Sequence, residues 1–205
     1  MTKKIEFFGI EIYLCENVYE PSEDTELLAK TILEHCNVKN KTVLEIGTGT
    51  GAIAILLAKN GAKVTATDIT AEAIKCAQKN AKINDVKIEF LKGNLLDPVK
   101  NRKFDIIIFN PPYLPEEEYD YLLPPTYKKA LIGGKEGNET IIQFINQLPN
   151  HMHNHSKAYI VTSTLSKPKQ ILKHIKNNKL KAKTIAKQKY FFEEIQIIEI
   201  TSQTQ

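Results

Sequence analysis

No uninterrupted apolar run in these 205 residues exceeds the seven of Ala52–Ala58. A membrane-spanning helix needs roughly 20. The basic start, Met1-Thr2-Lys3-Lys4-Ile5-Glu6, has no apolar core behind it, so no signal peptide is expected. The three cysteines, Cys15, Cys36 and Cys76, are dispersed and odd in number. They form no CxxC or Cys/His spacing, so no metal site is expected from them. There is no internal repeat and no linker that would cut the chain in two. A content of 42% hydrophobic and 25% charged residues excludes a mostly disordered chain and a fibrous repeat. The expectation is a soluble, cytoplasmic protein with one domain over residues 1–205.

The formal net charge is +4, but it is unevenly spread. Residues 151–205 hold ten lysines against three glutamates, a net +7, so the rest carries −3. A basic third of this kind either meets an acidic partner such as RNA or forms a solvated lysine-rich surface, and the second reading is preferred. His151, His153 and His155 alternate in a polar stretch that reads as a solvated turn rather than a metal site.

Apolar patterning predicts the elements. Residues 5–14 around Gly9 read as a hairpin, and Glu20–Thr25 opens a helix with Ser22 as its N-cap. These form an N-terminal extension over residues 1–40. From 41 onward short apolar runs alternate with amphipathic segments. Strands are predicted at 42–46, 63–67, 87–91, 104–109, 158–162, 180–188 and 195–200, and helices at 52–59, 71–83, 137–148 and 168–177. This rhythm means βαβ units and a parallel sheet. Tyr190–Glu194 is too short for a crossover, so the last strand should run antiparallel. The expected architecture is α/β, a Rossmann-like seven-stranded sheet flanked by helices. Residues 110–135, rich in proline and glycine, break the rhythm and read as a long functional loop without regular elements.

Two motifs carry chemistry. The first is Glu45-Ile46-Gly47-Thr48-Gly49-Thr50-Gly51, between the first strand and first helix of the core. Glycines there let a ligand approach the backbone closely. Asp68, after the next strand, is placed to accept hydrogen bonds from a ribose diol. The loop fits a dinucleotide site or an S-adenosylmethionine site. Glu45 favours the second, because a carboxylate would repel a pyrophosphate but could orient a cationic ammonium. Asn94-Leu95 offers an amide near the place of an adenine amino group.

The second motif is Asn110-Pro111-Pro112-Tyr113, at the end of a buried strand. Paired prolines remove N–H donors and leave carbonyl acceptors, and Asn110 adds a side-chain carbonyl. Two acceptors converging on one NH₂ group suit an amide or exocyclic amino nitrogen. Positive charge develops on such a nitrogen as a methyl group arrives. Tyr113 offers an aromatic face to a planar substrate.

Together with Val18–Thr25 and Gly133–Glu139, these motifs resemble those of class I S-adenosylmethionine-dependent methyltransferases. The match is to the HemK-like release-factor glutamine methyltransferases, in the short archaeal and eukaryotic type. The resemblance implies transfer of a methyl group to N5 of the glutamine in the Gly-Gly-Gln motif of a class 1 peptide chain release factor. It implies catalytic roles for Asn110, Pro111, Pro112 and Tyr113, and cofactor contacts from Thr25, Glu45, Gly47, Thr48, Gly49, Gly51, Asp68, Ile69, Asn94, Leu95 and Asn110. It also implies a small zinc-binding activator subunit covering an apolar sheet edge. The family often has Asp where this chain has Asn94. Three other functions stay open: a nucleic-acid methyltransferase acting on adenine N6 or guanine N2, a cofactor-binding module without catalysis, and a nicotinamide-dependent oxidoreductase. Direct nucleic-acid binding is not expected, because no aromatic–basic patch suited to flipped bases is present.

Overall fold

The computed structural model of the protein describes residues 3–203. Hairpin strands β1 (Lys4–Phe7) and β2 (Ile10–Tyr13) lead to helix α1 (Glu23–His35). Then follow β3 (Thr42–Ile46), α2 (Ala52–Lys59), β4 (Lys63–Asp68), α3 (Ala71–Ile83), β5 (Glu89–Lys92) and β6 (Phe104–Phe109). The chain continues through β7 (Leu114–Pro115), α4 (Pro125–Leu131), β8 (Ile132–Gly134), α5 (Glu139–Gln147) and β9 (Met152–Ser163). It closes with α6 (Pro168–Asn177), β10 (Leu180–Lys189) and β11 (Glu194–Ser202).

Seven strands form the main sheet in the order β10-β11-β9-β6-β3-β4-β5. β11 runs antiparallel to both of its neighbours, and the pairs from β9 through β5 are parallel. The chain leaves β3 toward β4 on one side and returns to β6 on the other. That reversal opens a crevice at the carboxyl ends of β3 and β6, where open α/β sheets bind ligands.

Alternation along the strands makes two cores. Val43, Ile106, Ile108 and Val161 pack with Leu28 and Ile32 of α1, with α2 and with the hairpin residues Phe7 and Ile12. Leu44, Ile107, Phe109 and Ile160 point to the opposite face, against Phe144 of α5 and Ile171 of α6. A period of two on a buried strand places successive side chains in different cores.

The N-terminal arm between β2 and α1 is tied to α3 at two points. Cys15 is disulfide-bonded to Cys76, a pairing that cysteine spacing did not suggest. One turn further along α3, the fully buried Asn80 reads the backbone of Tyr13 from both sides. Its Oδ1 accepts from Tyr13 N–H at 2.9 Å and its Nδ2 donates to the Tyr13 carbonyl at 3.0 Å. The same Nδ2 donates to the carbonyl of Thr50, in the glycine-rich turn, at 2.9 Å.

Several expectations need correction. Ser22 precedes α1, but its hydroxyl donates to the Glu23 carboxylate and makes no side-chain cap. Residues 110–135 are not devoid of regular structure. Pro124 and Pro125 start α4, where a missing N–H costs nothing, and β7 pairs in parallel with β8. The histidine stretch is a turn only at His151, which is buried at the end of a 3-10 turn over Leu148–His151, whereas His153 and His155 lie on β9. β9 has a register irregularity after Phe104 that Ser156 satisfies by donating to the Phe104 carbonyl at 2.6 Å. His155 sits 3.2 Å from the Asp105 carboxylate. Ten lysines of the basic third include Lys181, Lys183, Lys187 and Lys189 on β10, which is a sheet edge. Charged side chains there discourage pairing with another strand. Among the described residues no helix is long and apolar enough to cross a membrane.

Reducing the Cys15–Cys76 disulfide, or replacing both cysteines by serine, is expected to remove about 2–4 kcal/mol of unfolding free energy. The check is a denaturant midpoint measured with and without dithiothreitol. Asn80→Ala leaves three buried backbone groups unpaired, and its expected cost is at least about 1–3 kcal/mol in the same assay.

Candidate functional site

A cavity of about 350 Å³ lies in the crevice at the ends of β3, β4 and β6. It brings together thirteen residues named from the sequence: Thr25, Glu45, Gly47, Thr48, Gly49, Asp68, Ile69, Asn94, Leu95, Asn110, Pro111, Pro112 and Tyr113. Gly51 is the exception, because it does not line the cavity. It stands at the N-cap of α2 with φ +83°, and a Cβ there would lie 2.9 Å from Cβ of Ala77. The missing side chain lets α2 and α3 approach.

The glycine-rich turn is held by its own hydrogen bonds. Thr48 N–H donates to the Thr67 carbonyl at 3.0 Å and Gly51 N–H to the Thr48 carbonyl at 2.8 Å. Gly49 N–H donates to the Asp68 carboxylate at 3.0 Å. The other oxygen of Asp68 accepts from the Thr70 N–H and hydroxyl at 2.9 and 3.0 Å, which fixes the carboxylate's orientation.

Glu45 is wholly buried at the end of β3. Burial pushes its carboxyl up to about 8, against hydrogen bonds from the Thr48 hydroxyl and the Ala54 N–H that favour the charged form. The charge of Asp68 raises it further. Glu45 is therefore largely neutral at pH 7 in the unliganded protein. The electrostatic argument against a pyrophosphate loses force, but the hydrogen bonds replace it. Turn amides that would cradle a diphosphate are already committed to Asp68, Thr67 and Thr48.

The arm and α4 supply lining residues that sequence reasoning did not assign: Asn17, Val18, Tyr19, Pro21, Asp24, Thr126 and Lys129. Tyr19 and Tyr127 meet edge to face at 6.5 Å, so the arm touches α4. Burial and the charge of Asp24 push the Tyr19 hydroxyl up to about 12.

Asp24 is the organising group. This buried carboxylate accepts from the Thr25 N–H at 2.6 Å and the Thr25 hydroxyl at 3.1 Å through one oxygen. Through the other it accepts from Asn110 Nδ2 at 3.1 Å and the Tyr113 hydroxyl at 3.2 Å. Asn110 Nδ2 also lies 3.4 Å from the Thr25 hydroxyl oxygen. With its amide nitrogen so held, Asn110 turns its carbonyl oxygen the other way. That Oδ1 is buried and has no hydrogen-bond partner, and neither has Thr126 Oγ1 on α4. Buried polar atoms without partners are uncommon and call for an explanation. Both residues line the cavity. Burial, then the negative charge of Asp24, holds the Tyr113 hydroxyl protonated far above the usual phenol range.

The distant glycine segment supports this turn. A Cβ at Gly133 would sit 2.5 Å from the Pro112 carbonyl oxygen, so β8 can lie against Pro111-Pro112 only with glycine there. Asp24 lay inside a motif quoted from the sequence, but nothing local signalled its bonds to residues 86 and 89 positions away.

The chain matches the methyltransferase small domain family over residues 20–125. It is 43% identical over 195 residues to a Methanocaldococcus jannaschii protein with a provisional N5-glutamine methyltransferase name, covering 95% of this chain and 96% of that one. It is 36% identical over 156 residues to the release factor glutamine methyltransferase of Bacillus cereus, covering 70% of this chain but 55% of that protein. The chain thus spans about half the length of that bacterial relative. Among solved structures, a chain of the E. cuniculi Mtq2–Trm112 complex, which methylates the termination factor eRF1, superposes with a TM-score of 0.73 at 24% identity. That match covers 91% of this chain and 99% of that one. The T. thermophilus 16S rRNA N2 G1207 methyltransferase, solved with AdoMet and guanosine, gives 0.71 at 17% identity over 99% of this chain and 50% of that one. The last two show a shared fold. By the family match and by identity along nearly its whole length to the archaeal protein, the chain belongs to the methyltransferase small domain family and has the class I methyltransferase fold.

Proposed function

We propose that this methyltransferase uses S-adenosylmethionine to methylate N5 of the glutamine in the Gly-Gly-Gln motif of a class 1 peptide chain release factor. The observation that carries the reading is the buried, unpartnered Oδ1 of Asn110, oriented by Asp24. The names of the archaeal and bacterial relatives support the substrate class.

The cavity residues fit the cofactor. Gly47 and Gly49 present backbone without side-chain walls, Asp68 holds a fixed carboxylate for ribose hydroxyls, and Asn94 with Leu95 faces the adenine side. Thr25, Thr48 and Ile69 complete that lining, and Glu45 supplies a buried carboxyl that a cation would ionise. S-adenosylmethionine supplies an electrophilic methyl group and leaves as S-adenosylhomocysteine. Asn110 Oδ1 and the Pro111 carbonyl are the acceptors for the two hydrogens of the glutamine amide. An amide nitrogen is a weak nucleophile because its lone pair is delocalised. As the N–C bond forms, positive charge grows on nitrogen and its N–H bonds polarise toward these acceptors, which stabilise it most in the transition state. Pro112 stiffens the turn. Tyr113, anchored to Asp24, offers its ring to the planar amide. The excess proton leaves to solvent after transfer, so no strong base is required.

We infer a small partner subunit as well, with Mtq2–Trm112 as the supporting case. A zinc-binding activator would suit the β5 edge, where Phe90, Val86 and Ile88 are only partly buried. The opposite edge, β10, is guarded by lysines.

Methyl transfer from labelled S-adenosylmethionine to a matching release factor, with and without the activator, tests the reading. Wild-type factor should be labelled and its Gln→Ala variant should not. Loss of label from neither, or label on neither, would overturn the substrate. Asn110→Ala is expected to lower kcat by about 10²–10³, and Asp24→Ala by up to about 10² through loss of Asn110 orientation. Cofactor affinity should rise with pH up to about 8, because the cation must displace the Glu45 proton below that point. Glu45→Gln should flatten this slope in calorimetric titrations.

A further inference from the structure

We propose that the turn carrying Phe191 and Phe192, with the exposed tip Tyr121-Leu122, forms a docking rim for a folded protein substrate beside the methyl-transfer site. The inference rests on the glutamine reading and deepens it. It identifies how a protein, as opposed to a free peptide, is held.

The turn sits at the active end of the sheet. β11 begins opposite the end of β9, with Ile195 paired to Ser163. The turn between β10 and β11 is fastened there. Tyr190 N–H donates to the Glu193 carbonyl at 2.8 Å, the Glu193 carboxylate accepts from the Ser163 hydroxyl, and Glu194 N–H donates to Thr164 Oγ1 at 3.0 Å. The Tyr190 side chain packs onto the core that also holds Tyr113. The charge of Glu193 acts on Tyr113, and the charges of Glu23 and Asp24 act on Tyr190. The turn is therefore a neighbour of the reaction centre.

Two rings on this anchored turn are left in water. Phe191 is 93% and Phe192 84% exposed, and they contact each other edge to face at 4.7 Å. An adjacent exposed pair on a turn whose other residues are bound is a contact surface, not an accident of fraying. The insertion after β6 adds a second apolar point. Its base, Leu114–Pro115, packs beside Thr164–Ser166. Its tip leaves Tyr121 73% and Leu122 70% exposed.

Charge decides the class of partner. The insertion segment 116–122 reads Glu-Glu-Glu-Tyr-Asp-Tyr-Leu, with four carboxylates and no cation. Glu193 and Glu194 follow the two phenylalanines. A phosphate backbone is bound through lysine and arginine, and these groups repel it. Two of the lysines that flank these segments are already paired, Lys128 with Glu116 and Lys187 with Glu194, each at 3.0 Å. Aromatic anchors with an acidic surround fit a protein surface bearing apolar and basic side chains around its reactive loop.

The test is the double variant Phe191→Ser/Phe192→Ser, assayed on a folded release factor and on a short peptide containing Gly-Gly-Gln. Both positions are in solvent, so the melting temperature should not change. KM for the folded factor should rise at least tenfold, with kcat at saturation and peptide turnover within twofold of wild type. An unchanged KM for the factor would overturn the docking rim and leave the glutamine reading intact. An equal fall on factor and peptide would also overturn it, by locating the effect in the chemistry. An RNA oligonucleotide that competes with the factor in wild type but not in the variant would assign the rim to nucleic acid and reject it. If wild-type enzyme labels neither substrate, the glutamine reading fails, and the rim with it.

Discussion

The Asp24 carboxylate is the constraint on which the site depends. It gathers donors from Thr25, Asn110 and Tyr113, and so joins the first helix to the end of the central strand β6. An asparagine amide has two faces that differ only in which atom accepts. A carboxylate beside it removes the ambiguity, because only Nδ2 can donate to it. The acceptor atom, Oδ1, is then the one left buried without a partner, on a residue that lines the cavity. One buried charge thus determines the polarity of the reaction centre, and the surrounding hydrogen bonds make its burial tolerable.

That arrangement exists only while the arm stays in place. Helix α3 secures it, through the disulfide to Cys15 and through Asn80 on Tyr13. Because Asn80 also binds the Thr50 carbonyl, one buried side chain sets both the arm and the glycine-rich turn. The arm that carries Asp24 and the glycine-rich turn are therefore coupled through a helix that contributes little to the cavity lining itself. The glycines act from the other direction, removing side chains where backbones must meet. Gly51 admits Ala77 of α3, and Gly133 admits the Pro112 carbonyl.

The charge distribution follows a similar division. Most lysines of the basic third lie along the β10 sheet edge and the helix before it. The insertion tip at 116–122 is acidic and aromatic, while Lys129 lines the cavity and Lys128 pairs with Glu116. The basic third left open an acidic partner or a solvated lysine-rich surface, with the second preferred, and exposed lysines on an edge strand fit the second.

Much of the fold was legible in the sequence. In β6 the run Ile106-Ile107-Ile108-Phe109 is apolar throughout because both faces of a parallel strand are covered. The spacing of strands and helices followed from local periodicity, and the short Tyr190–Glu193 link required an antiparallel β11. The two reactive motifs were legible because glycine turns and proline pairs have local backbone consequences. Tertiary structure decided what depends on distant partners. The Asn110 orientation needs Asp24, 86 positions away, and the arm needs Cys76, 61 positions from Cys15. The raised ionisation of Glu45 needs burial by several elements at once. The ordered pieces of the 110–135 segment need β7 to find β8. Sequence by itself determined the backbone and the kinds of group available. Which oxygen is left without a partner, and which charge is buried, arise only when residues remote in the chain are packed together.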